Sequence, residues 1–356
     1  MPRSNWYGIG LFVVFTVTAA ACNERTQISE PSIAPRLTLS ASGITAIDIS
    51  NGVDGGYAQT VSSNGVILGR IGSTRGWWQA PSSTFNFLDS GFVQGGNRNA
   101  DAGGTQGKVL LSTNGGPPWV EQSVLPPPGV PAGQFIVQDI NDNRMMVGRT
   151  LGTGGFAVKW DNPSSVGSPL QLPAVAYPVS MSVARAVNNL GQIVGYLYET
   201  VSKRSTRYEA VVWNNGTPSI LPLPPGATSQ LASNINDAGI VAGIVDSRYP
   251  ARWTPRSDGG YDVVVANIDT SPSNLDVSID ACGRIAGGSN SGAWIWDGTS
   301  PPVMIPGLRG PGYFAYIRDL NESGLLVGNS HWTTKKGANI THATMWTGLS
   351  ACTPSP

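Results

Sequence analysis

A chain of 356 residues has room for two average domains, but 45 glycines and 27 prolines beside only 12% charged residues exclude a fold of long helices. The same composition favours short strands joined by turns, and a hydrophobic fraction of 40% supplies a core and excludes a disordered chain. Lys plus Arg and Asp plus Glu number 22 each, so the strong positive field of a nucleic-acid binder is missing and nucleic acid is not an expected partner.

The first element is an address. Arg3 is a small basic region, Ile9 to Val17 is apolar but too short for a comfortable membrane span, and Thr18 to Ala21 are small. Residues 1-21 therefore read as a signal peptide. The run Ala19-Ala20-Ala21-Cys22 resembles a bacterial lipobox, with Ala19 standing where that motif usually has Leu. The resemblance implies that Cys22 is lipidated and that acyl chains anchor the mature chain to a membrane of the cell envelope, on its periplasmic or outer side. Residues 22-36 are polar and aperiodic, a flexible tether. A single domain is expected over 37-350, followed by a tail at 351-356. In an oxidising compartment Cys282 and Cys352 either pair or remain as buried thiols, and sequence alone leaves both open.

Beyond the tether the chain repeats. Asn141-Asp142-Asn143-Arg144, Asn188-Asn189-Leu190-Gly191, Asn236-Asp237-Ala238-Gly239, Asp280-Ala281-Cys282-Gly283 and Asn321-Glu322-Ser323-Gly324 share one pattern, as does Ser62-Ser63-Asn64-Gly65. Each is followed by a short, mostly apolar run that contains glycine. The five later copies start 47, 48, 44 and 41 residues apart. An Asx at the first position and Gly at the fourth signal a type I turn followed by a left-handed residue, with the run beyond it forming the next strand. Asn141, Asn188, Gly191, Asn236, Gly239, Asp280, Gly283, Asn321 and Gly324 are thus expected to be turn residues, too poor in carboxylate for an EF-hand-like calcium loop.

A tryptophan follows in each unit, usually after an alanine: Ala157 and Trp160, Ala210 and Trp213, Ala251 and Trp253, Ala293 and Trp296, Ala343 and Trp346, with Trp78 lacking the alanine. One tryptophan per unit at a fixed place reads as packing between units. An apolar, proline-containing strand then closes the unit, as in Ile220 to Pro225 or Val303 to Pro306. The interval from Ser62 to Asn141 spans nearly two periods, so a degenerate unit is expected in it. Either Leu111 or Trp119 takes the tryptophan's place there, and the two alignments stay open.

Seven units of about 40 to 48 residues, each three or four short strands, predict an all-β, seven-bladed β-propeller. The last unit lacks its closing strand, and Arg36 to Ser40 is the expected N-terminal strand that completes it. The units resemble the bacterial extracellular HAF repeat, in which His-Ala-Phe precedes a tryptophan and follows Asn-x-x-Gly-x-x-Val-Gly. The match covers about residues 58 to 348, although only His342-Ala343 keeps the histidine and alanine together. The resemblance implies fold and export and carries over no catalytic residue.

Two units are lengthened, with 25 residues from the turn to the tryptophan. Their insertions carry Lys203, Arg204, Arg207 and Tyr208, and His331, Trp332, Lys335 and Lys336. Long loops on a rigid scaffold make these the candidate ligand-binding residues. No metal-ligating or nucleophile motif is present, and Asp48, Asp139, Asp276 and Asp319, beside the turns, read as structural. No catalytic residue, metal or cofactor is assigned. The expectation is a monomeric binding module for protein or glycan, with a structural envelope protein or a carbohydrate hydrolase as alternatives.

Overall fold

The repeated turn organises the chain. In the computed structural model, which describes residues 43–88, 93–202, 205–270, 276–289, 291–310 and 312–353, the first backbone N–H and carbonyl of each motif bracket a tight hairpin. At Asn236, for example, the carbonyl accepts from the Gly239 N–H at 3.0 Å, and its own N–H donates to the Ile240 carbonyl at 3.1 Å. Asn236 Oδ1 accepts from the Ile240 N–H at 3.0 Å, so the side chain caps the turn. Gly239 has φ +74°, the left-handed conformation that a type I turn with a bulge requires. Arg144 holds the equivalent place at φ +61°, and its guanidinium pairs with Asp101 at 3.1 Å, which offsets the backbone strain.

Four-stranded antiparallel sheets follow one another along the chain. The first contains β2 (Gly56–Val61), β3 (Val66–Ile71), β4 (Thr74–Gln79) and β5 (Asn86–Phe87), after a lone β1 (Thr45–Asp48). The next contains β6 (Val93–Gly96), β7 (Ala102–Gly104), β8 (Lys108–Ser112) and β9 (Trp119–Ser123); then come β10 (Phe135–Ile140), β11 (Met146–Thr150), β12 (Ala157–Trp160) and β13 (Ser168–Pro169). The two after these are β14 (Met181–Val187), β15 (Ile193–Ser202), β16 (Ser205–Asn214) and β17 (Thr217–Ile220), and β18 (Gln230–Ile235), β19 (Val241–Val245), β20 (Tyr249–Pro255) and β21 (Tyr261–Val265). The remaining strands are β22 (Ser278–Ile279), β23 (Ile285–Ser289), β24 (Gly292–Trp296) and β25 (Val303–Ile305), with β26 (Ala315–Leu320), β27 (Leu326–Thr333) and β28 (Asn339–Thr347). These last strands and β1 form one eight-stranded sheet, in which the pair Ser289 with Ala315 is the only register contact between β23 and β26. No α-helix occurs among the described residues.

The closing strand differs from the expected one. Thr45–Asp48 pairs antiparallel with Thr344–Thr347 of β28, and His342 Nδ1 lies 2.7 Å from Asp48 Oδ2, fastening the two ends of the domain. Arg36 to Ser40, the signal peptide, Cys22 and the tether lie outside the described residues, as do Lys203 and Arg204.

Each sheet is stitched to its neighbour by the residues that recur. Trp160, Trp213, Trp253 and Trp346 are fully buried, and each indole N–H donates to a carbonyl just past the previous sheet's last strand: Leu125, Gln171, Pro222 and Pro306, at 2.6 to 2.9 Å. Trp78 donates in the same way to Ile49, just past β1, so β1 serves as a last strand. Trp296 departs and bonds Ser300 of its own sheet. The glycine closing each apolar run faces the bulge of the strand before it. A Cβ on Gly243 would stand 2.0 Å from the Leu231 carbonyl oxygen, and one on Gly195 1.9 Å from that of Val183, so any side chain would force the strands apart.

The turns themselves are linked head to tail. Nδ2 of Asn97, Asn141, Asn188 and Asn236 donates to the carbonyl of the next motif's first residue (Asn141, Asn188, Asn236 and Asp280) at 2.8 to 2.9 Å. Asn321 Nδ2 continues the series onto the Ser62 carbonyl at 2.9 Å, returning to the start of the chain across 259 residues, and the Ser63 N–H reaches the Arg98 carbonyl. Asp280 breaks the circuit because a carboxylate cannot donate; it is buried against Arg284 instead. The architecture is propeller-like: small antiparallel sheets in a closed circuit, first strands innermost.

The degenerate unit is also resolved. Its turn is Asn97-Arg98-Asn99-Ala100, with Ala100 at φ +60°, and Leu110, opposite Ala102, holds the register position of the tryptophans. Leu111 is one residue off that position, and Trp119 lies in the fourth strand, its indole donating to the Ala100 carbonyl at 2.7 Å. At the far end of the chain, Cys282 and Cys352 are joined as a disulfide, with Cα atoms 5.8 Å apart.

Candidate functional site

The first strands bring one residue per sheet to a common axis. The bulge of each first strand falls three or two residues before the turn, between Ala58 and Thr60, Val137 and Asp139, Ala184 and Ala186, Ala232 and Asn234, and Ile317 and Asp319. A bulge turns an extra side chain inward. Gln59, Gln94, Gln138, Arg185, Ser233 and Arg318 accordingly line a cavity of about 150 Å3 with Asp276. A second cavity of about 130 Å3 lies towards the turns, and the two share Gly96, Asp139, Asn234 and Asp319.

The upper chamber is strongly polar. Arg185 Nη2 pairs with Asp276 Oδ1, and Arg185 Nη1 reaches Gln138 Oε1 at 3.3 Å. Arg318 Nη1 lies 3.3 Å from the other Asp276 oxygen, so one carboxylate bridges two guanidiniums. Burial by itself lowers the Arg185 pKa, but Asp276 outweighs that effect and the value is raised, so the charge is held.

Two further carboxyls lie at the waist between the cavities. Burial pushes Asp139 up to about 7, against the N–H groups of Val187 and Ile140 that lower it, with Asp319 raising it further. Burial likewise pushes Asp319 up to about 6. Both fasten neighbouring sheets. Asp139 Oδ2 accepts from the Val187 N–H at 3.0 Å. Asp319 Oδ2 accepts from the Val61 N–H and Thr60 Oγ1, while its Oδ1 accepts from Ser278 Oγ and the Leu320 N–H.

A cluster of charges crosses the lower end. Arg98, second residue of the degenerate turn, points to the axis with Nε 2.9 Å from Glu322 Oε1 and Nη2 3.0 Å from Asp237 Oδ2, and Asp142 stands 3.9 Å away. Asn189 Nδ2 donates to both Asp142 and Asp237, so hydrogen bonds cross-link the cluster.

Of the residues expected to bind, the described ones lie on the two long hairpins, outside the chamber lining. Arg207 pairs with Glu199 and Glu209 and lies over the Tyr177 ring; Tyr208 packs edge-on against Tyr196 and Tyr198. His331 stacks on Phe314, and burial lowers its pKa. Trp332 packs edge-on against His342, with Arg309 over its ring. Lys335 and Lys336 occupy the exposed tip after β27. Since first strands run towards the turns, these hairpins rise on the chamber's side. Of the acids read as structural, Asp48, Asp139 and Asp319 bond across strands or sheets, Asp139 and Asp319 also lining the chamber, whereas Asp276 spends its carboxylate on the chamber's two arginines. The chamber arginines Arg185 and Arg318 and the axial Arg98 were not singled out from sequence; their fixed offset from the turn was the available signal.

No family model and no curated protein matches the chain. Among solved structures, an ancestral GH74 enzyme is similar at 10% identity and a TM-score of 0.47, covering 82% of this chain and 48% of its own, so the chain spans about half that enzyme's length. A putative gluconolactonase is similar at 9% identity and a TM-score of 0.40, covering 88% of this chain and 95% of its own. Virginiamycin B lyase from Staphylococcus aureus follows at 12% identity and 0.44, covering 85% and 98%. At these values the likenesses carry no argument about activity.

Proposed function

We propose that the chain is a seven-bladed β-propeller, exported and held at the bacterial cell envelope by lipid on Cys22, that binds a ligand in its axial chamber. The blade number is supported by seven turns along the hydrogen-bonded circuit and by the indole contacts of Trp78, Trp160, Trp213, Trp253 and Trp346 with the sheet before. The observation that carries the binding reading is the chamber itself: a polar cavity lined by the bulge residues of successive first strands, with the Arg98 cluster across the turn end of the axis.

The ligand is a small polar molecule, or the exposed end of a glycan or protein presented at the envelope, and the two long hairpins flank its path. Gln59→Trp, which fills the chamber, should abolish capture of a glycan fragment in a binding screen, while shortening the Thr334–Ala338 tip should leave it intact. The opposite pair of outcomes would return the site to the hairpins. Palmitate labelling tests the anchor: label should be lost in Cys22→Ala, and its persistence there would end the lipoprotein reading.

A further inference from the structure

Resting on the chamber as the binding site, we propose that its ligand carries an oxyanion on a hydroxylated carbon skeleton, of which a hexuronate is a simple member, with Arg185 and Arg318 gripping the anion. The first argument is donor supply. A guanidinium has five N–H donors. Arg185 spends Nη1 on Gln138 and one Nη2 proton on Asp276; Arg318 spends one Nη1 proton on Asp276, and since its Nε is buried, the donors it can turn to a ligand are those left on its two Nη atoms. Two cations face one bridging carboxylate, so the trio carries a net positive charge and unspent donors.

The second argument is placement. Four residues before the turn, the other sheets carry apolar side chains: Ala58, Val137, Ala184, Ala232 and Ile317. The unit of β22 alone puts a carboxylate there, Asp276, and buries Val277 at the position where other sheets offer polar groups. Asp276 thus works as a resident counter-ion that keeps two guanidiniums from repelling one another in the free protein. A ligand oxyanion placed beside it completes the charge balance, and planar guanidiniums suit bidentate carboxylates and phosphates.

The third argument concerns the rest of the lining. Gln59, Gln94 and Gln138 offer neutral donors and acceptors, and no aromatic side chain lines the chamber among the described residues. Recognition therefore runs through hydrogen bonds to hydroxyls rather than through ring stacking. The cavity of about 150 Å3 takes one sugar-sized unit and no chain.

The ionisable groups facing the chamber are Asp139 from β10, Arg185 from β14, Asp276 before β22, and Arg318 and Asp319 from β26; β2, β6 and β18 contribute neutral side chains. Tyr196 on β15 lies behind Arg185 with Arg149 near it, and burial raises its pKa so that it stays neutral. As pH falls, Asp139 and then Asp319 take up protons, which removes negative charge beside the bound anion. Anion affinity should rise from pH 8 to pH 6.

Calorimetric titration of the protein with glucuronate, glucose 6-phosphate and glucose tests this. The expected result is binding of either or both acids at least tenfold tighter than glucose, several-fold tighter at pH 6 than at pH 8, with the preference lost in Arg318→Gln and in Arg185→Gln; the tighter acid identifies carboxylate or phosphate as the source. Equal affinity for glucose and both acids, no binding of either acid at tens of millimolar, a preference that survives both variants, or weaker binding at pH 6 would overturn it. Gln59→Trp separates the two levels. If it leaves acid binding intact, the chamber itself is the wrong site; if it abolishes all binding where acids hold no preference, only the oxyanion claim falls.

Discussion

Replacing Asp139 by Asn gives the sharpest test of the electrostatics at the waist of the channel. The carboxyl is held at about 7, against an ordinary value of about 3.9. Because the folded value is the raised one, the native state keeps a proton that the unfolded state has lost between those two pH values. Its contribution to stability is complete below about 3.9 and is lost as pH rises to about 7. Between pH 5 and pH 7 that is about two units, and at 1.36 kcal/mol per unit the limit is roughly 3 kcal/mol. The side chain lines a water-accessible channel, so solvent screening reduces the expected loss to about 1 to 2 kcal/mol. Asn keeps an oxygen for the Val187 N–H and carries no charge. Urea unfolding followed by tryptophan fluorescence should therefore show Asp139→Asn gaining about 1 to 2 kcal/mol relative to the wild type on going from pH 5 to pH 8. A difference independent of pH, or a variant that loses ground at pH 8, would mean that Arg185 and the backbone donors outweigh burial.

Three other outcomes follow from the geometry. Asn236→Asp keeps the capping oxygen and removes the Nδ2 donor to the Asp280 carbonyl, so chemical denaturation at pH 7 should show a loss of about 2 kcal/mol; a loss within experimental error would strip the circuit of energetic meaning. Gly239→Val forces a β-branched residue to φ +74° with its Cβ 3.3 Å from Gln192 Oε1, and should cost at least about 1 kcal/mol by the same assay, unchanged stability refuting the turn assignment. The Cys282→Ser/Cys352→Ser double variant frees a 70-residue loop in the unfolded chain, which chain entropy puts at about 4 kcal/mol; melting unchanged by the substitution or by reductant would contradict a stabilising role for the bond.

The repeat was legible because its physics is local. An Asx followed by glycine three residues on specifies a turn without help from the rest of the chain, and one tryptophan per period marks the contact between sheets. Where local chemistry was replaced, legibility failed. Asn97 to Ala100 lacks the glycine, and the strand after it reads Ala102-Gly103-Gly104 rather than an apolar run, so neighbouring sheets impose that turn more than its own residues do. The closing strand was misplaced because Arg36 to Ser40 has the apolar alternation, whereas Thr45–Asp48 is chosen by pairing with β28 and by the His342 contact. The chamber was hidden for a different reason. Its residues occur once per unit, some 35 to 50 positions apart, and a lone Gln or Arg before a turn looks like any exposed strand residue. The cationic hairpins attracted attention instead, yet Arg207 is already paired with two glutamates.

The most direct test of the account is a crystal structure of the protein soaked with glucuronate. The account predicts one sugar in the axial chamber, its carboxylate within hydrogen-bonding distance of Arg185 and Arg318 and its hydroxyls on the glutamines. An empty chamber with the sugar seated on the hairpins around Tyr208 or Trp332 would contradict it.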